Sequence, residues 1–582
     1  MHIPQGMAYG LLGNLPPVVG IYMAFFPVLI YVIFGTSRHV SMGTFAIVCL
    51  MTGKTVSQYS TEEFLPNGTM VQVNGDHDHH YTSMQVATTV TFAVAIFQML
   101  MYIFRLGIIT TLLSETLVNA FTCASAFHVV ASQLKDLFGL TLTRRKGYFR
   151  VIYTLYDSAM AVPQANIAAV TVSAIFIIVM VINNEVLKPW LAKKTRIPFP
   201  IELVAVTVGT AISHCLNLHD QYGISIVGHI PTGFPTPDLP AFSLLPKVAL
   251  DAFVITMVSY TITMSMALIF AQKLHYEVDA NQELFALSWS NCFGSFFSCM
   301  PITASLSRSL IQQQVGGITQ LASVVSCGIL LVILLWIGPL FEELPRCVLA
   351  SIIVVALKKM ILQFTSLKTY WRLSKWDTLV WLVTFLTTVF IGIDVGLVAG
   401  ILTSMLSIFA QGYLPYSCLL GVLPKTDLYL DLKRYKGTEE VPGIRIFHYS
   451  GSLNFASKSS YRFLLFKRVG IDPLAILTKR QEMQDRSSVA LEFEDLLTKC
   501  IILDFAALTY IDPSGVEMLR QIIQNFNQLG IAVYITACSG PVFETLQRCD
   551  KYEKKDGKFI IFPTIHDAVL FAQAMILRDK IN

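Results

Sequence analysis

The chain has 582 residues, of which 54% are apolar and 14% are charged, and its mean hydropathy is +0.59. Soluble globular proteins carry about 25% charged residues, so this composition excludes an ordinary soluble protein and indicates a membrane protein. The formal net charge of +4 does not set the orientation, which depends on where Lys and Arg lie. Eleven cysteines include no C-x-x-C pair and indicate neither a zinc site nor a disulfide framework. We expect no cofactor, no metal and no nucleic-acid partner.

Fourteen apolar helices are predicted before residue 414. Several contain no charged residue over much of the length that a hydrocarbon core of about 30 Å requires, which is roughly 20 residues of helix. The predicted spans are 1–13, 17–34, 44–58, 84–104, 106–139, 164–184, 200–217, 248–272, 283–299, 306–314, 318–341, 346–362, 378–393 and 395–414.

The distribution of basic residues predicts the topology. Residues 55–104 contain no Lys or Arg but include the sequon Asn67-Gly68-Thr69, so this segment is the predicted outer loop and Asn67 its predicted glycosylation site. The loop at 185–199 is basic and is predicted to be cytoplasmic. Counting helices places both chain ends in the cytoplasm of a multi-pass plasma-membrane protein, although the basic run 144–146 then falls outside.

The composition changes after residue 414. Residues 415–441 are mixed and charged, which is typical of a linker, and from residue 442 short β-rich runs alternate with amphipathic helices. The predicted strands are 444–448, 501–505 and 531–536. We therefore predict a transmembrane domain at 1–414, a linker at 415–441 and an α/β domain at 442–582, which is large enough to fold alone.

Six short motifs together resemble the sulfate permease family, the animal solute carrier family 26 of prestin- and pendrin-like anion transporters. The sixth, in the tail, is similar to the STAS domain of that family. The motifs are 4–9 (PQGMAY), 15–22 (LPPVVGIY), 35–39 (GTSRH), 281–284 (NQEL), 305–309 (SLSRS) and 512–515 (DPSG).

The resemblance implies a polytopic α-helical fold with a seven-plus-seven inverted repeat, divided into a core domain and a gate domain, and a cytosolic α/β STAS domain. It also implies a homodimer in the lipid bilayer, with cytosolic regulators acting through the STAS domain. In inverted-repeat transporters the anion lies between the N-termini of two broken helices, whose positive dipole ends face it. Here these are the third and tenth helices, which begin at Gly43-Thr44-Phe45 and at residues 305–308.

Arg308 is the leading site residue. An Arg between apolar neighbours is costly at membrane depth unless it faces a polar cavity or partner, and the alternative is an Arg at a helix end that reaches the membrane surface. We favour an anion site because the motif of the resembling family and the helix count agree. Ser307 is interpreted either as a hydroxyl donor to the anion or as a helix cap. Gln5, Tyr9 and Phe45 are assigned to the same pocket by the resemblance alone.

Glu283 has two interpretations. Its carboxylate could take up a proton that is co-transported with a divalent anion, or it could cap a helix or pair with a basic residue. We favour the structural role. The cluster His77-Asp78-His79-His80 resembles a metal site in composition only, because adjacent loop positions fix no geometry.

The start of the chain is expected to lie inside the first membrane helix, because only about a dozen residues precede Leu15 where a crossing needs roughly 20. The family resemblance also begins in mid-motif.

Three functions remain open. The first is a secondary transporter that exchanges chloride, bicarbonate, sulfate or oxalate by an elevator-like movement. The second is a prestin-like voltage-sensitive motor that binds anions, and the third is an uncoupled chloride channel. An enzyme is not expected, since no Walker A, G-x-S-x-G or metal-binding helix motif is present.

Overall fold

The computed structural model describes residues 1–582 except 65–69, 73–80, 109–113, 141–146, 193, 195–198, 414, 486–497, 554–558 and 582. The chain divides into two compact units, Met1–Met405 and Leu406–Asn582.

The first unit is helical. Its helices are α1 (His2–Leu12), α2 (Val18–Phe34), α3 (Ala46–Tyr59), α4 (Ser83–Ile103), α5 (Glu115–Phe138), α6 (Arg150–Ala161), α7 (Ile167–Ile182), α8 (Lys188–Ala192), α9 (Ile201–Leu216), α10 (Leu218–Tyr222), α11 (Leu245–Leu274), α12 (Ala280–Phe296), α13 (Leu306–Gln314), α14 (Leu321–Val332), α15 (Arg346–Leu362), α16 (Ser366–Leu373), α17 (Lys375–Phe390) and α18 (Ile393–Tyr413), the last of which continues into the second unit. Four short strands accompany them: β1 (Met42–Gly43), β2 (Glu62–Phe64), β3 (Met70–Gln72) and β4 (Thr303–Ala304).

Within the described residues, seven helical stretches are long and apolar enough to cross a membrane, which confirms the predicted multi-pass class. The helices α2 and α9 are apolar but shorter. The seven stretches are Ser83–Ile103, Glu115–Phe138, Ile167–Leu191, Phe242–Leu274, Leu321–Phe341, Arg346–Leu373 and Ile393–Tyr413.

The helix predictions differ from the structure at α5 and α6, and the short helices α8, α10 and α16 were not predicted either. The predicted span 106–139 is too long, because α5 begins only at Glu115, where the Ser114 hydroxyl accepts a hydrogen bond from the Leu117 N–H. Gly107, inside the predicted span, instead approaches the start of α12, where a Cβ would lie 3.0 Å from the Asn281 nitrogen. The helix α6 was not predicted, since apolar length was the criterion and α6 has 12 residues and includes Arg150 and Asp157.

The helices α1 and α2 approach each other at two glycines. A Cβ on Gly20 would lie 1.8 Å from the carbonyl oxygen of Gly6, so any larger residue would separate the two helices. Small residues allow such close contacts between membrane helices. Both glycines belong to motifs that carry the family resemblance, and the contact fixes the position of α1.

The centre of the first unit is a two-stranded antiparallel pairing. Met42 pairs with Ala304 and Gly43 with Thr303, so β1 and β4 run in opposite directions. Because α3 follows β1 and α13 follows β4, the two helices begin beside each other and extend apart. The pairing is the local arrangement that an inverted repeat requires.

Buried polar side chains hold the strand β4 in place. The Ala304 N–H donates to the Thr263 hydroxyl over 3.2 Å, and the Ile302 N–H donates to the Asn291 side-chain oxygen over 3.0 Å. Both side chains are fully buried. An irregular backbone at membrane depth needs such partners, because lipid offers none.

The second unit is an α/β domain. Its strands are β5 (Tyr416–Val422), β6 (Tyr429–Asp431), β7 (Ile444–Leu453), β8 (Cys500–Asp504), β9 (Leu508–Ile511), β10 (Ala532–Thr536) and β11 (Ile561–Phe562). Its remaining helices are α19 (Lys458–Val469), α20 (Pro473–Asp485), α21 (Pro513–Gln528), α22 (Gly540–Glu553) and α23 (Ile565–Ile581).

The described strands form a mixed sheet in the order β11-β10-β8-β7-β5-β6, with β9 also paired to β7. The strands from β7 onward pair in parallel, whereas β5 is antiparallel to both of its neighbours. Two separate apolar clusters involve the sheet, one with α19, α21 and α22 and one with α23. The three predicted strands correspond to β7, β8 and β10.

Residues 415–441 are a linker by composition, but two strands of the sheet, β5 and β6, lie within them. β5 pairs along its length with β7, from Tyr416 opposite Ser450 to Leu420 opposite Ile446. The structured α/β unit therefore begins earlier along the chain than residue 442.

Candidate functional site

The N-termini of α3 and α13 meet at the β1–β4 pairing. Neither helix has a side-chain hydrogen bond at its N-cap, which is Phe45 for α3 and Ser305 for α13. The first N–H groups of a helix have no partner within the helix. Two helix ends with positive dipole character are thus directed at the same place, without a capping side chain to satisfy them.

Arg308 joins the two helix ends. Its Nη1 donates to the Thr44 hydroxyl over 3.2 Å and its Nη2 donates to the Thr44 carbonyl oxygen over 3.0 Å. The side chain is 4% exposed, and its Nε is buried without a hydrogen-bond partner. Among the residues that the structure describes, no carboxylate forms an ion pair with this guanidinium. Arg308 is therefore a buried cation without a carboxylate counter-charge among the described residues.

The guanidinium lies against a glycine. Gly43 has φ +143°, and a Cβ at this position would lie 3.0 Å from Nη2 of Arg308. The glycine thus provides both the strand geometry and the space that the arginine occupies.

The other four predicted substrate residues lie on α1, at the N-cap of α3 and on α13. Gln5 and Tyr9 lie four residues apart on α1 and so share one face; both are buried. Phe45 is the half-buried N-cap residue of α3, and Ser307 is exposed in the first turn of α13. The Ser307 hydroxyl lies 3.4 Å from that of Ser305.

One partner of Arg308 was not predicted. Thr44 supplies both of its hydrogen-bond acceptors. In the sequence, only the position of Thr44 at the predicted start of the third helix pointed to this role.

Glu283 lies apart from this site, at the start of α12. The residue is fully buried, and its carboxylate accepts hydrogen bonds from the Tyr31 hydroxyl (2.9 Å), the Thr36 N–H (2.7 Å) and hydroxyl (2.6 Å), and the Ser37 N–H (3.0 Å). These hydrogen bonds to Glu283 hold the loop after α2 against the start of α12. The contacts describe a structural carboxylate, and no basic residue is among these partners.

Asn67 and the cluster 77–80 lie outside the described residues. Among those that are described, no group of three or more His, Cys, Asp or Glu side chains is arranged to hold a metal ion.

The apolar helices, the paired helix ends and the α/β unit define a helical membrane transporter that carries an additional α/β domain. The Sulfate permease family model matches residues 1–384, and the STAS domain model matches residues 435–568. The chain belongs to the sulfate permease family, as the motifs had indicated, and is an anion transporter of solute carrier family 26 type.

Known relatives match nearly the whole chain. Prestin from Mus musculus is 34% identical, with 98% of this chain and 84% of prestin covered, and human Solute carrier family 26 member 6 is 32% identical with the same coverage. The solved murine Solute Carrier 26 family member A9 anion transporter, in the inward-facing state, has a TM-score of 0.85 at 30% identity, covering 98% of this chain and 89% of that one. The family and the solved murine neighbour are transporters, not enzymes.

Proposed function

We propose that this protein is a secondary transporter that exchanges small anions, of the kind of chloride, bicarbonate, sulfate and oxalate. The anion binds between the N-termini of α3 and α13. The observation that carries the proposal is Arg308, a buried guanidinium with hydrogen bonds to Thr44 but no carboxylate partner among the described residues.

The energetics of burial support an anion as its missing partner. An unpaired charge is strongly unfavourable in a low-dielectric interior, and intramembrane ionisable groups are retained where they serve a pathway or ligand. Two uncapped helix N-termini favour the same sign of ligand. A bound anion would accept hydrogen bonds from the first-turn N–H groups and be attracted by Arg308.

Four other side chains complete the proposed pocket. Gln5 offers an amide and Tyr9 a ring edge from α1, Phe45 forms an apolar wall at α3, and the exposed Ser307 hydroxyl can donate to the anion. A site with several weak contacts and one charge suits an anion that must bind and leave.

The packing of the helices supports an elevator-like movement. α2, α3 and α4 pack with α1, α11, α12 and α14, whereas α5 packs mainly with α7, α15 and α17. α1 also contacts α15 and α3 also contacts α5, so these helices border both groups. α13 follows β4, which pairs with β1 and packs on α11, so both α3 and α13 are assigned to the first group. The whole proposed site can therefore move as one body against the second group, which would expose the anion alternately to each side.

The test is to replace Arg308 by Gln and measure uptake of labelled chloride and sulfate into proteoliposomes. We expect normal surface delivery and folding with transport abolished or strongly weakened. Arg308→Lys keeps the charge but loses the bidentate donor geometry and should retain only part of the activity. If Arg308→Gln takes up anions at the wild-type rate and with the wild-type half-saturating concentration, the anion site lies elsewhere.

A prestin-like motor is the second candidate, because prestin is among the relatives that match 98% of the chain. Nonlinear capacitance without net uptake would favour the motor. A current whose reversal potential follows chloride alone would favour an uncoupled channel. Uptake of one anion that requires release of another in a fixed ratio, with or without a net current, would favour the exchanger.

We also propose that the protein acts as a homodimer in the plasma membrane, with both termini cytoplasmic and the STAS domain contributing to assembly and to binding of cytosolic regulators. Removal of residues 442–582 should reduce dimer yield or trafficking. Crosslinking of the full chain in membranes measures this directly, and a purely monomeric pattern would contradict it.

A further inference from the structure

A short amphipathic helix, α16, connects two apolar helices at one end of the first unit. The preceding helix, α15, has 17 residues and rises about 25 Å, close to the thickness of about 30 Å of a hydrocarbon core. The chain then turns through residues 363–365, follows α16 and enters α17 at Lys375. Because α15 and α17 both pack on α5, α16 lies where the chain turns at the membrane surface.

One side of α16 packs on the protein and the other is free. Leu367 and Tyr370, three residues apart, contact the apolar cluster that contains Trp381 of α17. Lys368 and Arg372 are exposed, and Trp371 is 69% exposed. Basic residues and an aromatic ring on the free side of a helix are typical of a helix that lies in the membrane interface.

The charge at this end of the first unit is positive. Residues 358–375 include five Lys and Arg and no Asp or Glu. Lys358 forms an ion pair with Glu185 at 2.6 Å, which places the end of the helical stretch that begins with α7 beside the end of α15. Six further basic residues at these two ends form no ion pair with a described residue, and we call them the basic rim: Lys188, Lys194, Lys359, Lys368, Arg372 and Lys375.

A second exposed tryptophan has a basic neighbour in the same way. The Lys194 ammonium lies 4.4 Å from the centroid of the Trp190 ring, and Trp190 is 51% exposed. Tryptophan rings favour the level of the lipid headgroups, and Lys and Arg are attracted there by phosphate groups. Two segments of the chain thus present the same combination of side chains at one end of the unit.

We infer that the basic rim binds the headgroups of anionic phospholipids in the cytoplasmic leaflet, with Trp371 at the level of the headgroups. The choice of leaflet rests on the proposed topology, and the cytoplasmic leaflet is the one that carries anionic lipids. Charge alone would also suit a soluble acidic partner. The exposed Trp371 and Leu373 favour lipid, because an apolar side chain gains from contact with acyl chains.

The experiment measures quenching of Trp371 fluorescence by brominated phospholipids in phosphatidylcholine liposomes. The emission of Trp371 is the difference between each protein and its Trp371→Phe version. We expect brominated phosphatidylserine to quench this emission at a lower mole fraction than brominated phosphatidylcholine. The ratio of the two mole fractions measures the preference for anionic lipid, and the measurement does not require transport.

The combined variant Lys368→Gln, Arg372→Gln and Lys375→Gln should bring this ratio close to one. Each basic residue near an anionic surface contributes up to about fivefold to the association. Raising the salt concentration from about 0.1 M to about 1 M shortens the Debye length from about 10 Å to about 3 Å and should reduce the wild-type preference as well.

The matched control is the combined variant Lys425→Gln, Lys433→Gln and Arg434→Gln. It removes the same two Lys and one Arg from exposed positions of the second unit, and it should leave the preference for anionic lipid unchanged. If the variant of the basic rim does not fold, Arg372→Gln alone and the salt dependence of the wild type decide the question.

Equal quenching by the two brominated lipids in the wild type would overturn the inference, as would an unchanged preference in the folded variant of the basic rim or an equal loss in the control. Displacement of brominated phosphatidylserine by soluble glycerophosphoserine would show that the rim binds a free phosphate compound and would also overturn it. None of these results bears on Arg308, whose role is tested by uptake.

Discussion

Gly43→Ala is a direct test of the contact between β1 and Arg308. The substitution has two costs. An alanine at φ +143° adopts a backbone conformation that residues with a Cβ rarely occupy, at a cost of about 1–3 kcal/mol. The added methyl would also lie 3.0 Å from Nη2 and 3.5 Å from Cζ of Arg308, so the guanidinium must shift by a few tenths of an ångström.

We expect a lower Tm and a weaker apparent anion affinity, because the displaced guanidinium loses its alignment with the Thr44 acceptors. If about 1.4 kcal/mol of the strain appears as lost binding, the half-saturating anion concentration rises tenfold. The assay pairs Tm in detergent with uptake at graded chloride concentrations. Gly328→Ala on α14 is the control, since no atom would lie within 4 Å of its Cβ. Wild-type Tm and affinity in Gly43→Ala would refute this reasoning.

Two further predictions concern residues outside the anion site. Glu283→Gln should lower the yield of folded protein at the surface, because a neutral amide cannot accept all four hydrogen bonds, and charged hydrogen bonds contribute about 1.5–3 kcal/mol each. The pH dependence of uptake per surface molecule should not change; loss of proton-coupled uptake at normal surface yield would support the coupling role instead. In the STAS domain, burial raises the pKa of the Cys500 thiol from 9.0 to about 12. A raised pKa means that the folded state holds this proton more tightly, so its contribution to stability is present below pH 9 and is lost as the pH rises from 9 towards 12. Alkylation by iodoacetamide at pH 8.5, followed by mass spectrometry, should leave Cys500 unmodified in the folded protein, and modification at the rate of the unfolded chain would contradict this.

Much of the architecture follows from local patterns in the sequence. The long apolar windows predict most membrane helices, and the alternation of strand and helix after residue 442 predicts β7, β8 and β10. Arg308 was identified because a charged residue among apolar neighbours is costly at membrane depth and because it lies in a motif that resembles the family. The helices and strands depend on composition and periodicity over about 20 residues, which a single sequence shows directly.

What could not be predicted depends on long-range pairing. The strands β1 and β4 are two residues each and about 260 residues apart, so neither has a strand signal of its own. The two hydrogen bonds from Arg308 to Thr44 exist only because of that pairing. The strands within residues 415–441 were not predicted for a similar reason: β5 is stabilised by its pairing with β7, and composition does not reveal a partner.

The charge of the proposed site bears on which anions it can accept. Each helix N-terminus is equivalent to roughly +0.5 of a charge, so α3, α13 and Arg308 together present about +2. A divalent anion would neutralise this charge, and a monovalent anion would leave about +1. Binding of either anion is favourable relative to the empty site, so charge alone does not discriminate between chloride and sulfate. Discrimination in the proposed site would then come from the space that Tyr9 and Phe45 leave for the anion and from the number of hydrogen-bond donors that the anion can accept from at once. Variants of these two residues should therefore change the ratio of sulfate to chloride affinity, whereas variants of Arg308 should weaken both.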